Sequence, residues 1–122
     1  MSSLNDLQYD TQYSSWIQTD SQTNALATAS RAAEADQHHV LMNCEASFSA
    51  APAAPVLLQI KFGTTVVLER YVPTTGGASV FFGSIGVMNR TANQAVSAEL
   101  GAGGVANIGK VALIGFTTGK RL

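Results

Sequence analysis

The sequence predicts an all-β protein, an antiparallel β-sandwich of jelly-roll-like type preceded by an extended N-terminal arm. Three observations predict it. Short segments alternate apolar and polar residues with a period of two, the mark of half-buried strands. Gly-, Pro- and Asn-rich turn signals separate these segments at short intervals, as in sandwiches and jelly rolls. The alanine-rich stretch 25–35, the natural candidate for a helix, lacks an apolar stripe at helical spacing. A chain of 122 residues fits one domain with one modest core. The expected division is an arm over 1–24 and a sandwich over 25–122.

The elements follow in order. Residues 1–24 carry Asp6, Asp10 and Asp20 and no Lys or Arg. They show no regular hydrophobic period, yet Leu4, Leu7, Tyr9, Tyr13, Trp16 and Ile17 are spread through them. Solvated tails are poor in such side chains, so this segment reads as an arm ordered by lying against something. A strand over 25–31 and a turn follow. In HHVLMNCEASFS, Val40, Met42, Cys44, Ala46 and Phe48 share one predicted face, with His39, Leu41, Asn43, Glu45 and Ser47 opposite. Pro52 and Pro55 break the chain into a loop, because proline cannot donate to a ladder. VLLQIKF and TTVVLERYV are joined by Gly63-Thr64 and read as a hairpin, with strands over 56–62 and 65–72. Further strands are expected over 78–82 and 95–100, separated by a long loop. The last strand, 110–116, is almost continuously apolar and is expected to be central. The predicted core contains Met42, Phe48, Leu58, Ile60, Val96 and Leu100.

Charged residues make up 12% of the chain, against about 25% in ordinary domains. Ala is the commonest residue, with 18 copies, and Ser, Thr and Gly supply 11 each. So few charges leave a monomer little polar surface to keep it unpaired, which points to coverage by copies of itself or by a larger assembly. Net charge is −1 and the seven Lys and Arg are scattered, so no nucleic-acid footprint is present. No stretch approaches the roughly 18 apolar residues of a membrane helix, and MSSLNDLQYD has neither the basic nor the apolar region of a leader. The Asn89-Arg90-Thr91 sequon is therefore read as chance. One cysteine, Cys44, excludes an internal disulfide framework.

The residues give no catalytic or metal constellation. His38 and His39 are adjacent, so a strand aims them at opposite faces, and His39 finds only Leu41 at i+2. Cys44 sits on the apolar-patterned face and reads as a small hydrophobe. Glu34, Glu45, Glu69 and Glu99 have no spacing that argues convergence. GAGGVANIG lacks the GK[ST] ending of a phosphate loop and precedes a strand, so its glycines read as turn geometry. No enzyme activity and no cofactor are expected.

The stretches ASFSAAPAAPVLLQIKFGTTVVLERYV and AVSAELGAGGVANIGKVALIGF, within His38–Phe116, resemble phage-encoded β-sandwich proteins. The resemblance implies a head decoration, or cement, subunit of jelly-roll type, commonly trimeric. It would be made in the host cytoplasm and carried on the capsid exterior, bound to the major capsid protein through multivalent contacts. By analogy, the arm would reach neighbouring capsomers, with Tyr9, Tyr13, Trp16 and Ile17 as its anchors. Removing residues 1–24 should then leave a folded sandwich that binds capsids poorly. A receptor- or carbohydrate-binding module of a tail or fibre is the competing expectation. It would need an exposed aromatic platform, and the single tryptophan lies in the arm.

Overall fold

A computed structural model of the chain describes residues 14–75, 77–81, 86–88 and 91–119. The strands are β1 (Ser14–Thr23), β2 (Ala27–Arg31), β3 (His38–Phe48), β4 (Val56–Phe62), β5 (Thr65–Val72), β6 (Gly77–Phe81), β7 (Val87–Met88), β8 (Val96–Leu100) and β9 (Ile108–Thr118). Among the described residues no helix is long and apolar enough to cross a membrane. One sheet has the order β1-β9-β3-β6, with β7 also pairing β3, and the other the order β2-β8-β4-β5. All pairings are antiparallel. The links β1–β2, β3–β4, β5–β6 and β8–β9 all cross from one sheet to the other at the same end, which makes the sandwich a jelly roll.

The core lies between the sheets. Leu41, Cys44, Ala46, Val111 and Leu113 face it from the first sheet, and Ala27, Ala29, Leu58, Ile60, Val96, Ala98 and Leu100 from the second. Strand β9 is central between β1 and β3, as its continuous apolar run predicts. The β4–β5 hairpin turns at Gly63, whose φ of 61° lies in the left-handed region that glycine adopts without cost.

Three expectations are corrected. First, residues 14–23 are not part of an arm. They form β1, paired with β9 along its whole length from Ser14↔Thr117 to Thr23↔Ile108. A truncation at residue 24 would therefore remove a strand of the sandwich. Periodicity missed β1 because its inward positions after Trp16 are Gln18 and Asp20 rather than aliphatics. These two side chains bond the free edge of β2. The Thr28 N–H donates to Asp20 Oδ2 at 2.9 Å. With its amide turned so that the nitrogen faces the acceptor, Gln18 donates to the Ser30 carbonyl at 3.3 Å and accepts from Arg31 Nη1 at 3.2 Å. Side chains thus close that flank of the sandwich where no strand pairing does.

Second, the alternation of β3 changes phase. A bulge between Leu41 and Asn43 inserts Met42, and an inserted residue shifts which face its neighbours take. His39 and Leu41 turn inward above the bulge, and Cys44 and Ala46 below it. Met42, expected in the core, is half-buried on the outer face. Val40 beside it is buried under the chain at Gly86. Third, Phe48 is half-buried and packs on the core margin, whereas Leu58, Ile60, Val96 and Leu100 are buried as expected.

Candidate interaction surface

Of the four expected anchors, the structure describes Trp16 and Ile17, which face opposite sides of β1. Tyr9 and Tyr13 lie outside the described residues. Trp16 points inward, 6% exposed, and is held inside its own domain. Its Nε1–H donates to Thr117 Oγ1 at 2.9 Å. His39 Nδ1 lies 2.8 Å from the same hydroxyl, and His39 Nε2 lies 2.8 Å from the Ala32 carbonyl. A carbonyl only accepts, so Nε2 carries a proton; in the neutral imidazole Nδ1 then accepts from Thr117, whose oxygen accepts from Trp16. The rings of Trp16 and His39 meet edge to face at 5.9 Å, and the Arg31 guanidinium lies 5.8 Å from the indole centroid. Gly115 makes room for this indole: a Cβ there would run into the Val40 carbonyl and stand 2.8 Å from Trp16 Cη2. Trp16, His39 and Thr117 are therefore a buried polar cluster of the fold, not a contact surface.

Ile17 lies on the opposite side of β1 from Trp16. It faces out from β1 with 66% of its surface exposed, opposite Ile114 on β9. Together with Met42 and Phe116 these side chains line a depression on the outer face of the first sheet. The other half of that face is a shallow trough of about 720 Å³, lined by small and polar side chains including Thr19, Ser21, Ser47 and Ser79, with Glu45 and Lys110. Among the described residues no aromatic side chain lines the trough.

Sequence reasoning missed further exposed apolar residues, the most exposed being Leu26 at 54%, Tyr71 at 66% and Val105 at 90%. The signal for Leu26 and Val105 was their place in the short turns that begin at Asn24 and Gly104, which turn the chain through positive φ. Turns hold their side chains away from the core.

The titratable groups are dispersed. Among the described residues no group of three or more His, Cys, Asp or Glu could hold a metal ion. Glu99 pairs with Lys61 at 3.0 Å on the outer face of the second sheet, and Glu34 with Arg31 at 3.4 Å at the end opposite the β3–β4 link. Glu45 accepts from Ser79 Oγ at 3.5 Å on the first sheet. Burial first, and the Glu45 charge second, push the Cys44 thiol up to about 12, which keeps it out of the nucleophilic thiolate form. Asp20 is held below the usual carboxylate range, chiefly by the Thr28 N–H and then by the Gln22 side chain.

The β5 edge of the second sheet is interrupted. On β5 the register shifts opposite Ile60 and Lys61. Arg70, on the same side of that strand as the buried Val72, crosses to the Ser79 carbonyl of β6 at 3.2 Å. Bulges and inward-pointing charges are devices that stop strands of other chains from adding to an edge.

No family model matches the chain, and no curated protein does. Two solved structures are similar in part. A ruminal GH26 endo-β-1,4-mannanase aligns over 75% of this chain at 15% identity and a TM-score of 0.39, and the chain spans 18% of that enzyme's length. The extra small virus particle of the giant freshwater prawn Macrobrachium rosenbergii aligns over 89% of this chain and 81% of its own, at 8% identity and a TM-score of 0.36.

Proposed function

We propose that the chain is a non-enzymatic structural subunit of a virion. In the finer form of this reading it is a decoration or cement protein on the exterior of a phage capsid, bound as a homotrimer to the major capsid protein. The observation that carries the reading is a jelly-roll body that exposes aliphatic side chains, Ile17 among them, and is poor in charge. Such a body is suited to passive contact: burial of apolar area supplies the affinity and several copies multiply it. The resemblance of the β3–β5 and β8–β9 sequences to phage sandwich proteins supports the same reading.

Co-sedimentation with capsids of the source particle, stripped of accessory subunits, is the test. The full chain should pellet with capsids, and Ile17→Asp should pellet less, because that side chain is outward on β1 and its replacement leaves the core intact. A full chain that remains in the supernatant at about 10 µM, a concentration that captures micromolar affinities, would refute the reading.

A further inference from the structure

The depression around Ile17 lies beside the start of β1. Ile17, Ile114, Phe116 and Met42 line it, and its volume is about 540 Å³. Two rows of the sheet form its floor across β1 and β9. Ile17 pairs with Ile114 in one, and Ser15 with Phe116 in the other. Two steps of an extended chain separate the rows, about 7 Å. Ile17 is 66% exposed, so apolar area stands in water on this face.

The residues that lead into Ser14 match this surface. Residues 1–24 as a whole have no hydrophobic period, but Asp6-Leu7-Gln8-Tyr9-Asp10 alternates strictly. In an extended segment Leu7 and Tyr9 share one face, about 7 Å apart, and Asp6, Gln8 and Asp10 share the other. That is the spacing of the two rows. Residues 10–13 lie between Tyr9 and β1. Four extended residues span about 13 Å, more than the roughly 10 Å between packed layers. The chain is therefore long enough to turn back over its own sheet. Such a turn sets Tyr9 above the Ser15–Phe116 row and Leu7 above the Ile17–Ile114 row, and leaves Asp6, Gln8 and Asp10 facing water.

We propose that residues 1–13 fold back on the first sheet of their own chain, with Leu7 and Tyr9 seated in the Ile17–Ile114 depression. The tether selects this occupant. A segment joined to its site by a few residues meets it at an effective concentration on the order of millimolar. A second copy or a free partner at micromolar concentration has to compete with that. Burial removes apolar area from water on both sides of the contact at once. Docked in this way the segment occludes Ile17, and a partner that uses that side chain has to displace it. The inference goes beyond the capsid reading and does not rest on it.

The experiment places a nitroxide label on Asn5→Cys in the full, isotope-labelled chain and reads the loss of backbone amide signals by NMR. Cys44 is buried and stays unlabelled. Asn5 precedes Leu7 by two residues, so docking carries the label to the next row of the sheet, Thr19 and Ala112. Those two amides should lose most of their signal, while Gln59 and Ser97, on the other sheet, should keep theirs. The double variant Leu7→Ser, Tyr9→Ser and, separately, Ile17→Asp should restore the Thr19 and Ala112 signals with unchanged circular dichroism. Equal signals from Thr19 and Gln59 in the labelled chain would overturn the inference, as would quenching that persists in both variants. Quenching as strong when nitroxide and isotope sit on different chains of a mixed sample would also overturn it, because the segment would then lie on a second copy. A chain that shows the quenching within itself yet stays in the supernatant with capsids would lose the capsid reading alone.

Discussion

Thr117→Val isolates the buried polar cluster. Valine has the shape of threonine with a methyl in place of the hydroxyl, so no cavity opens and only hydrogen bonding changes. Thr117 is fully buried, His39 is 1% exposed and Trp16 6%, so water does not replace the lost oxygen. Two partners are stranded: the Trp16 Nε1–H, which donates to that oxygen at 2.9 Å, and His39 Nδ1, which accepts from it at 2.8 Å. Each stranded buried group costs about 1–3 kcal/mol, so the substitution should destabilise the fold by about 2–6 kcal/mol. Thr117→Ser is the counterpart. It keeps the hydroxyl and loses one methyl, for about 1 kcal/mol. Urea unfolding followed by the fluorescence of Trp16, the single tryptophan, measures both. With equal m-values, a Val variant within about 0.5 kcal/mol of the natural protein, or more stable than the Ser variant, would refute the reasoning.

Deleting residues 1–24 should abolish cooperative unfolding, because it removes β1 and Trp16 and strips one side of β9; a sigmoidal thermal melt of the truncated chain would count against this. Ile60→Ala and Leu58→Ala should each cost about 2–5 kcal/mol in the same urea assay, and losses well below 1 kcal/mol at both would mean the inward face of β4 is misassigned. Asp20 binds its proton less readily when folded than unfolded, so its contribution is complete above the unfolded value, about pH 3.9. It is lost as pH falls through the lower folded value, and Asp20→Asn should flatten that acid limb of the stability profile; an unchanged limb would exclude the Thr28 contact as its source. The Cys44 thiol, pushed up to about 12 and buried, should resist a thiol reagent at pH 8 until the protein is unfolded by urea, and rapid stoichiometric labelling of the folded protein would contradict its placement.

The sequence by itself determined the strands whose inward positions are aliphatic. Val96, Ala98 and Leu100 alternate with Ser97 and Glu99, and Leu58 and Ile60 with Gln59 and Lys61, so β8 and β4 were legible in place and in face. The Gly63 turn and the central position of the apolar β9 were legible for the same reason: local pattern and turn chemistry report burial directly. Tertiary structure alone decided the rest. Strand β1 is a strand because β9 offers it a ladder, and its inward Gln18 and Asp20 are satisfied by a backbone edge that is near only after folding. The bulge at Met42 reverses a face that strict alternation would fix, because one inserted residue is invisible to a period-two reading. The anchor role read for Trp16 likewise depended on its surroundings. An indole has both a large apolar body and an N–H to satisfy, so it suits an interface or a core that contains an acceptor. Here Thr117, 101 residues further along the chain, supplies that acceptor and draws Trp16 inside, while Ile17 beside it, which pairing with β9 turns to the other face, is left outside.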